Sequence, residues 1–164
     1  EQEYGDHIQQ MMAIATRKQA LAALLDREPT LDEISQELKI STSEIQAIFR
    51  RGDRAKSKMI QHNLRLVVSI IRKRRLRYTI EEFLDLMQAG SIGLDRAAEK
   101  FDPKLGYKFS TYASWWVRQF IAREVMDNGR TVRIPVHVYE KWYRMHKVQR
   151  QLTIRLSRSP TREE

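Results

Sequence analysis

Signals for the start of a helix recur along the chain. In the first half of the chain, a serine or threonine is followed three residues later by a glutamate at three places: Thr30 and Glu33, Ser41 and Glu44, Thr79 and Glu82. In a capping box, such a pair satisfies backbone N–H groups that the first turn of a helix leaves free. Apolar residues three and four positions apart follow each pair, as on one face of a helix. The pattern predicts a helix after each pair.

Apolar periodicity predicts three further helices. One covers about residues 3–27, one covers residues 59–71, and one begins at Ser110 or Thr111 and runs to about Asp127. No segment has a convincing strand pattern, and the chain has only 6 Gly and 4 Pro. We therefore predict an all-α fold, a compact helical bundle with a long central helix. A second small helical domain should follow, represented by its first helix.

Glycine and proline mark the expected interruptions. Gly90 and Gly93 weaken the helix predicted after Thr79, because glycine costs about 1 kcal/mol relative to alanine inside a helix. Residues 101–107 (FDPKLGY) have the composition of a turn. Pro135 suits the first turn of a last helix.

The two short capped helices between about residues 28 and 52 predict a helical hairpin. Such a hairpin is either a DNA-reading helix-turn-helix or a scaffold element. We favour the scaffold, because its second helix has few basic residues before Arg50.

Charge points to a polyanionic partner. The net charge is +9, with eleven Lys/Arg against one acid at residues 50–77 and six acids against two bases at residues 81–102. The basic run at residues 72–77 is either a partner contact or only a solubilising face. No apolar run is long enough for a membrane, and the absence of cysteine excludes disulfides and suits a reducing compartment. The histidines do not cluster with carboxylates and no nucleophile–base pair stands out, so neither a metal, a cofactor nor an enzyme is predicted.

The most informative segment is residues 107–125, YKFSTYASWWVRQFIAREV. On a helical projection, one side carries Tyr112, Trp115, Trp116, Gln119 and Arg123, and the other carries Ala113, Val117, Phe120 and Ile121. The second side suits a core. The first side mixes aromatic rings with cations, which is what unpaired bases and phosphates need. The alternative is that both tryptophans anchor the core beside arginines that reach out to water.

These residues closely resemble the sigma-70 family of RNA polymerase sigma factors. The resemblance is carried by NLRLVVSI at residues 63–70, FLDLMQAGSIGL at 83–94, AAEKFDPKLGYKFSTYASWWVRQ at 97–119 and RTVRIPVH at 130–137. It is nearly continuous from Ala55 to His137 and weaker to the end. The part before RRGDRAKSKM, residues 50–59, looks like the cyanobacterial and plastid branch.

The resemblance implies an interface with core RNA polymerase and one with promoter DNA. By this resemblance, the residues that dock on the beta-prime coiled coil are Asp85, Gln88 and Ser91. Minus-ten recognition on the non-template strand, TATAAT, places Tyr112 on a flipped second-position adenine. Around that adenine lie Phe101, Asp102, Lys104, Tyr107 and Phe109. Trp115 and Trp116 replace the base in the stack, Gln119 faces the first base pair, and Asn63 with Leu66 holds the last thymine. The remaining DNA-binding candidates are Lys108, Thr111, Arg118, Arg123, Arg130, Arg133, His137 and Glu140. For His137 and Glu140, a simple helix pair is the alternative.

Departures from the family pattern predict a non-housekeeping member. The family usually has glutamate at Ala89 and a neutral residue at Asp95, so polymerase docking should differ. It has threonine at Ala122 and a basic residue at Leu105, so Gln119 should read the first pair largely alone and the adenine pocket should carry less charge. Phe120 stands where alanine is usual, and the segment between residues 72 and 82 is two residues longer.

The resemblance also implies a domain plan. Residues 1–129 correspond to sigma domain 2, including the N-terminal helix and the hairpin. Residues 130–135 are a linker, and 136–164 are the truncated start of sigma domain 3, since Thr161 and Glu164 form another helix-start signal. The expected location is the cytoplasm at the nucleoid, or the plastid stroma for an organellar member. An anti-sigma factor or other regulator is a further candidate partner. The alternative functions are a stand-alone helix-turn-helix regulator and a sigma-like decoy that binds only polymerase.

Overall fold

The computed structural model describes residues 2–73, 79–130 and 132–161. These residues form helices and no strand, which confirms the all-α prediction. The elements are α1 (Gln2–Leu25), α2 (Leu31–Leu38), α3 (Thr42–Lys73), α4 (Ile80–Lys100), a 3₁₀ turn (Pro103–Leu105), α5 (Phe109–Asn128) and α6 (Val136–Leu156). The basic residues at 74–77, Thr131 of the predicted linker and Glu164 of the last helix-start signal lie outside the described residues.

The capping predictions are confirmed at α2 and α4. Thr30 Oγ1 accepts the Glu33 N–H at 3.4 Å, while the Glu33 carboxylate accepts the Thr30 N–H at 2.8 Å. Thr79 and Glu82 make the same reciprocal pair at 3.2 and 2.8 Å. At α3, Ser41 Oγ accepts the Glu44 N–H at 3.3 Å. These local hydrogen bonds determine where the helices begin.

The prediction of separate helices before and after Gly52 is wrong. α3 runs unbroken for 32 residues, about 48 Å at the usual rise, and Gly52 lies inside it. A Cβ atom on Gly52 would stand 2.6 Å from Cβ of Met11 on α1. Glycine therefore permits two helices to approach closely here, and it does not end the helix.

The chain forms two compact units, residues 1–121 and 122–164, and the division falls inside α5. In the first unit, α1, α3 and α4 pack against one another. Its core includes Ile8, Met59, Val67, Leu94, Phe109, Val117 and Ile121, all fully or almost fully buried. The predicted domain boundaries at 129 and 135 stay a prediction.

The hairpin has a small core of its own. Ile14 of α1, Ile34 of α2 and Ile45 of α3 are buried together, with half-buried apolar side chains around them. In the second unit, α6 has no buried residue. Among the described residues, no helix combines the length and hydropathy that crossing a bilayer requires.

Candidate nucleic-acid interface

The loop between α4 and α5 is held by short-range and long-range contacts. Asp102 Oδ1 accepts the Lys104 N–H at 2.9 Å, and Gly106 adopts φ of 74°, which glycine allows without strain. Gln9 of α1 donates a hydrogen bond to the Phe101 carbonyl at 2.6 Å. The predicted turn is thus present, and α1 anchors it from a distance of 92 residues along the chain.

Five aromatic rings form a continuous series, here called the aromatic ladder: Phe109, Phe101, Tyr112, Trp116 and Trp115. Successive ring centroids are 5.3, 6.1, 6.4 and 5.5 Å apart, mostly edge to face. Phe109 is fully buried, whereas Trp115 exposes 60% of its surface. The ladder therefore leads from the core to solvent, and its outer rings present aromatic surface to a ligand.

Phe101 and Phe109 are both buried beneath the outer rings. Phe101 exposes 4% of its surface and Phe109 none. Phe101 contacts the Tyr112 ring, and Phe109 packs against Phe101. Tyr112 itself is half-buried, so its ring has both a packing contact with Phe101 and an accessible part.

Trp116 combines two features of a binding residue. The Lys100 ammonium lies 5.0 Å from its ring centroid, within the range of a cation–π contact. Its indole Nε1 is buried and has no hydrogen-bond partner among the described residues. An indole N–H usually finds an acceptor when it is buried, so an unpaired donor at this position is unusual.

Several cationic and polar residues lie close to the ladder residues along the sequence, and their side chains are exposed. They are Lys104, Tyr107, Lys108, Thr111, Arg118 and Gln119. Leu105, where the family has a basic residue, is exposed as well. Asn63 and Leu66 on α3 are half-buried, and the Asn63 amide donates to the Met59 carbonyl of its own helix at 2.8 Å. The amide oxygen of Asn63 has no donor among the described residues.

A cavity of about 490 Å³ lies beside the loop. It is lined by Gln2, Glu3, Phe101, Pro103, Gly106, Tyr107 and Lys108. Five of these seven residues belong to the predicted turn or to the family motif, whereas Gln2 and Glu3 were not predicted. No local pattern marks those two, because only the packing of α1 against the loop brings them there.

A second surface, here called the α4 face, comprises Leu84, Asp85, Gln88, Ser91 and Ile92. Asp85 and Gln88 are exposed, and Leu84 and Ile92 each expose 55% of their surface. Ser91 is half-buried and donates to the Met87 carbonyl at 2.8 Å. Exposed apolar side chains beside polar ones are typical of a protein-binding surface.

The two α4 departures, Ala89 and Asp95, lie in different environments, and their effect on polymerase docking stays a prediction. Ala89 is buried, so it faces the core. Asp95 accepts the Lys56 ammonium at 2.8 Å, and Glu99 accepts it at 2.9 Å, which ties α4 to α3. Asp95 therefore forms an ion pair that links α4 to α3.

This ion-pair cluster shifts the pKa of two groups. Burial alone would lower the pKa of Lys56, but hydrogen bonds and charge from Asp95 and Glu99 outweigh burial and raise it. Burial alone would raise the pKa of Glu99, but Lys56 and Arg96 outweigh it and lower it. Both groups are thus held in their charged forms.

The second unit contains the remaining candidates. Arg123 and Arg133 approach the Asp127 carboxylate at 3.6 and 2.8 Å. Arg130 lies 5.2 Å from the centroid of the Trp142 ring. His137 and Glu140 are both exposed, and the ion-pair partner of Glu140 is Arg144, at 4.0 Å.

Comparison with known proteins gives one consistent family. Residues 59–131 match the family described as Sigma-70 region 2. The chain is 48% identical to the RNA polymerase sigma-B factor of Nostoc sp. over 93% of this chain and 46% of that protein. It is 44% identical to the RNA polymerase sigma factor SigA2 of Synechococcus elongatus over 98% and 50%, and 54% identical to SigA4 of that organism over 76% and 39%. The chain thus spans half or less of the length of these relatives.

Proposed function

Because the chain belongs to the sigma-70 family of RNA polymerase sigma factors, we propose that it docks on core RNA polymerase and recognises the promoter minus-ten element. In this role it holds the melted non-template strand for transcription initiation. The aromatic ladder is the observation that carries the proposal, since it leads from the core to an exposed tryptophan in a segment whose cations Lys104, Lys108 and Arg118 are exposed.

Melting can follow from binding alone. Unstacking a base costs a few kcal/mol, and stacking on an aromatic side chain returns about 1–3 kcal/mol per base. The accessible part of Tyr112 is the platform for the flipped adenine, and Trp115 with Trp116 fills the gap left in the stack. Binding then favours one sequence, because the binding free energy offsets the cost of unstacking only for bases that fit the site. The chain acts as a binding protein with no chemical step of its own.

The surroundings of the ladder supply the other contacts. Lys104, Lys108 and Arg118 are exposed cations for phosphates, and Gln119 is an exposed amide for a base edge. The cavity lined by Tyr107 and Lys108 is large enough for a nucleobase. In the second unit, Arg123, Arg130 and Arg133 are proposed phosphate contacts, and His137 and Glu140 are proposed contacts to DNA upstream of the hexamer.

The α4 face is the proposed contact with the beta-prime coiled coil. Asp85 supplies negative charge and Gln88 hydrogen bonds, while Leu84 and Ile92 supply apolar area. An apolar centre with a polar rim is what a stable protein contact requires. Through this contact the chain would work where the polymerase works, on the chromosome.

Fluorescence binding tests the proposal. Labelled single-stranded TATAAT oligonucleotide and a scrambled strand are titrated with the chain, alone and with core RNA polymerase, and a duplex of the same sequence is included. We expect preference for the single TATAAT strand, strengthened by core polymerase. Preference for the duplex would instead indicate a helix-turn-helix regulator, and binding of core polymerase without strand preference would indicate a decoy.

A further inference from the structure

A row of cations follows α3 along its solvent side. Arg51, Lys58, Arg65 and Arg72 recur every seven residues, and Arg54 lies between the first two. Seven residues are nearly two helical turns, so these side chains share one face. The α3 stripe, defined by these five residues, is about 30 Å long at the usual helical rise.

Within the part of the chain that the structure describes, the α3 stripe has no carboxylate partner. All five side chains are exposed, and among the described residues none forms an ion pair with a carboxylate. Lys56 shows the contrast, because it lies on the inner side of the same helix and is neutralised by Asp95 and Glu99. From residue 51 onward, the only acid on α3 is Asp53, which lies about 100° or more around the helix from the members of the stripe.

The chemistry of the stripe distinguishes it from the α4 face. α3 exposes none of its large apolar side chains, whereas α4 exposes Leu84 and Ile92. Protein interfaces are anchored by buried aromatic and apolar groups, and the stripe has no such anchor. Binding to phosphates needs no apolar anchor, because the release of counterions from the nucleic acid supplies the binding free energy. Charge complementarity therefore favours a nucleic-acid backbone over an acidic protein.

The stripe also adjoins the candidate site. The Lys58 ammonium lies 6.0 Å from the centroid of the Tyr4 ring on α1. Tyr4 directly follows Gln2 and Glu3, which line the cavity beside Tyr107 and Lys108. A strand that leaves the cavity on the α1 side would meet the middle of the stripe.

We propose that the α3 stripe binds the sugar–phosphate backbone of promoter DNA outside the hexamer, without reading its sequence. That the bound nucleic acid is promoter DNA rests on the proposed function, whereas the binding of phosphates by the stripe does not. The stripe would hold the melted strand on a path that continues from the aromatic ladder.

The test compares short and long single strands. The full chain is titrated with a short strand holding little beyond TATAAT, a long strand with TATAAT at one end, and a long scrambled strand. The variant K58Q/R65Q removes two stripe charges, and R17Q/K39N removes one exposed charge from α1 and one from the turn after α2 as a matched control. The charge-preserving variant K58R/R65K completes the set, and circular dichroism checks that each variant is folded.

We expect K58Q/R65Q to weaken both long strands and to leave the short strand unchanged. Each lost phosphate contact should reduce the log–log salt slope by about 0.7, so wild type should lose roughly sevenfold more affinity than the variant over a roughly fourfold rise in salt. K58R/R65K and R17Q/K39N should behave like wild type.

Three results would overturn the inference. One is equal loss on short and long strands, which would assign the charges to the aromatic site. Another is equal loss in K58Q/R65Q and R17Q/K39N, which would indicate only net charge. The third is unchanged DNA binding with weaker binding of core polymerase, which would indicate a protein partner. If wild type shows no preference for TATAAT but K58Q/R65Q still weakens the long scrambled strand, the stripe is supported and the proposed function fails.

Discussion

Gly93 of α4 lies directly against the backbone of Val117 in α5. A Cβ atom on Gly93 would stand 3.0 Å from the Val117 Cα and 3.2 Å from the Trp116 carbonyl oxygen. Backbone atoms cannot move aside as a flexible side chain can. The helix that carries Tyr112, Trp115 and Trp116 therefore packs on α4 through a contact that leaves little room for a Cβ atom at residue 93.

The first prediction concerns this contact. Gly93→Ala should destabilise the first unit by about 1–3 kcal/mol, because overpacking forces the backbone to shift. Denaturant unfolding measures the loss, and tryptophan fluorescence reports displacement of the ladder. At an uncrowded helical site, the same change stabilises by about 1 kcal/mol, so an increase in stability would show that α5 does not press on Gly93.

The second prediction concerns Tyr112. Tyr112→Ala should weaken binding of the TATAAT strand by about 1–3 kcal/mol, because a stacking surface is lost, whereas Tyr112→Phe should keep most of the affinity. The loss should be much smaller on a strand whose second adenine is replaced. Tyr143→Ala removes another exposed ring and serves as the control. Equal losses on both strands would indicate a contact that is blind to sequence.

The third prediction concerns polymerase docking. Asp85→Lys reverses a charge on the α4 face and should markedly reduce pull-down of core RNA polymerase, since the charge complementarity of the proposed contact would be lost. Helicity should not change, because Asp85 is exposed. Asp53→Lys, an equal reversal on α3, should have little effect. Pull-down that is unaltered by Asp85→Lys would remove the docking assignment.

The fourth prediction concerns the link between α3 and α4. Lys56→Gln should reduce the free energy of unfolding by about 1–2 kcal/mol, between the values for exposed and buried ion pairs. The lowered pKa of Glu99 means that its contribution is complete above its ordinary pKa and is lost as the pH falls. Acid should therefore destabilise the wild type more than Lys56→Gln. Lys58→Gln, an exposed position two residues on, should unfold like the wild type.

The fifth prediction concerns the hairpin. Hydrogen bonds from Arg27 and from the Thr30 backbone lower the pKa of Glu33 from 4.5 to about 2. The stabilisation is complete above pH 4.5 and is lost as the pH falls towards 2. A pH titration of Glu33 by NMR should locate this transition, and Glu33→Gln should match the wild type only at the acid end. An ordinary pKa for Glu33 would show that the pair with Arg27 does not form in solution.

Local signals in the sequence determined the helix starts and the side of α5 that faces the core. The capping pairs Thr30–Glu33 and Thr79–Glu82 act within four residues, and the buried positions of Ala113, Val117 and Ile121 follow from helical periodicity. The family motifs are equally local, because they are continuous runs of residues. Each of these inferences needs only neighbours along the chain.

Tertiary structure decided what depends on distant residues. α3 passes Gly52 where Met11 of α1 packs closely against it, and Phe101 and Phe109 are buried because the bundle closes over them. Gln2 and Glu3 reach the cavity only when α1 docks beside the loop. A residue's neighbours along the chain set its local conformation, but its burial and its partners depend on which helices meet, and that is decided by packing across the whole bundle.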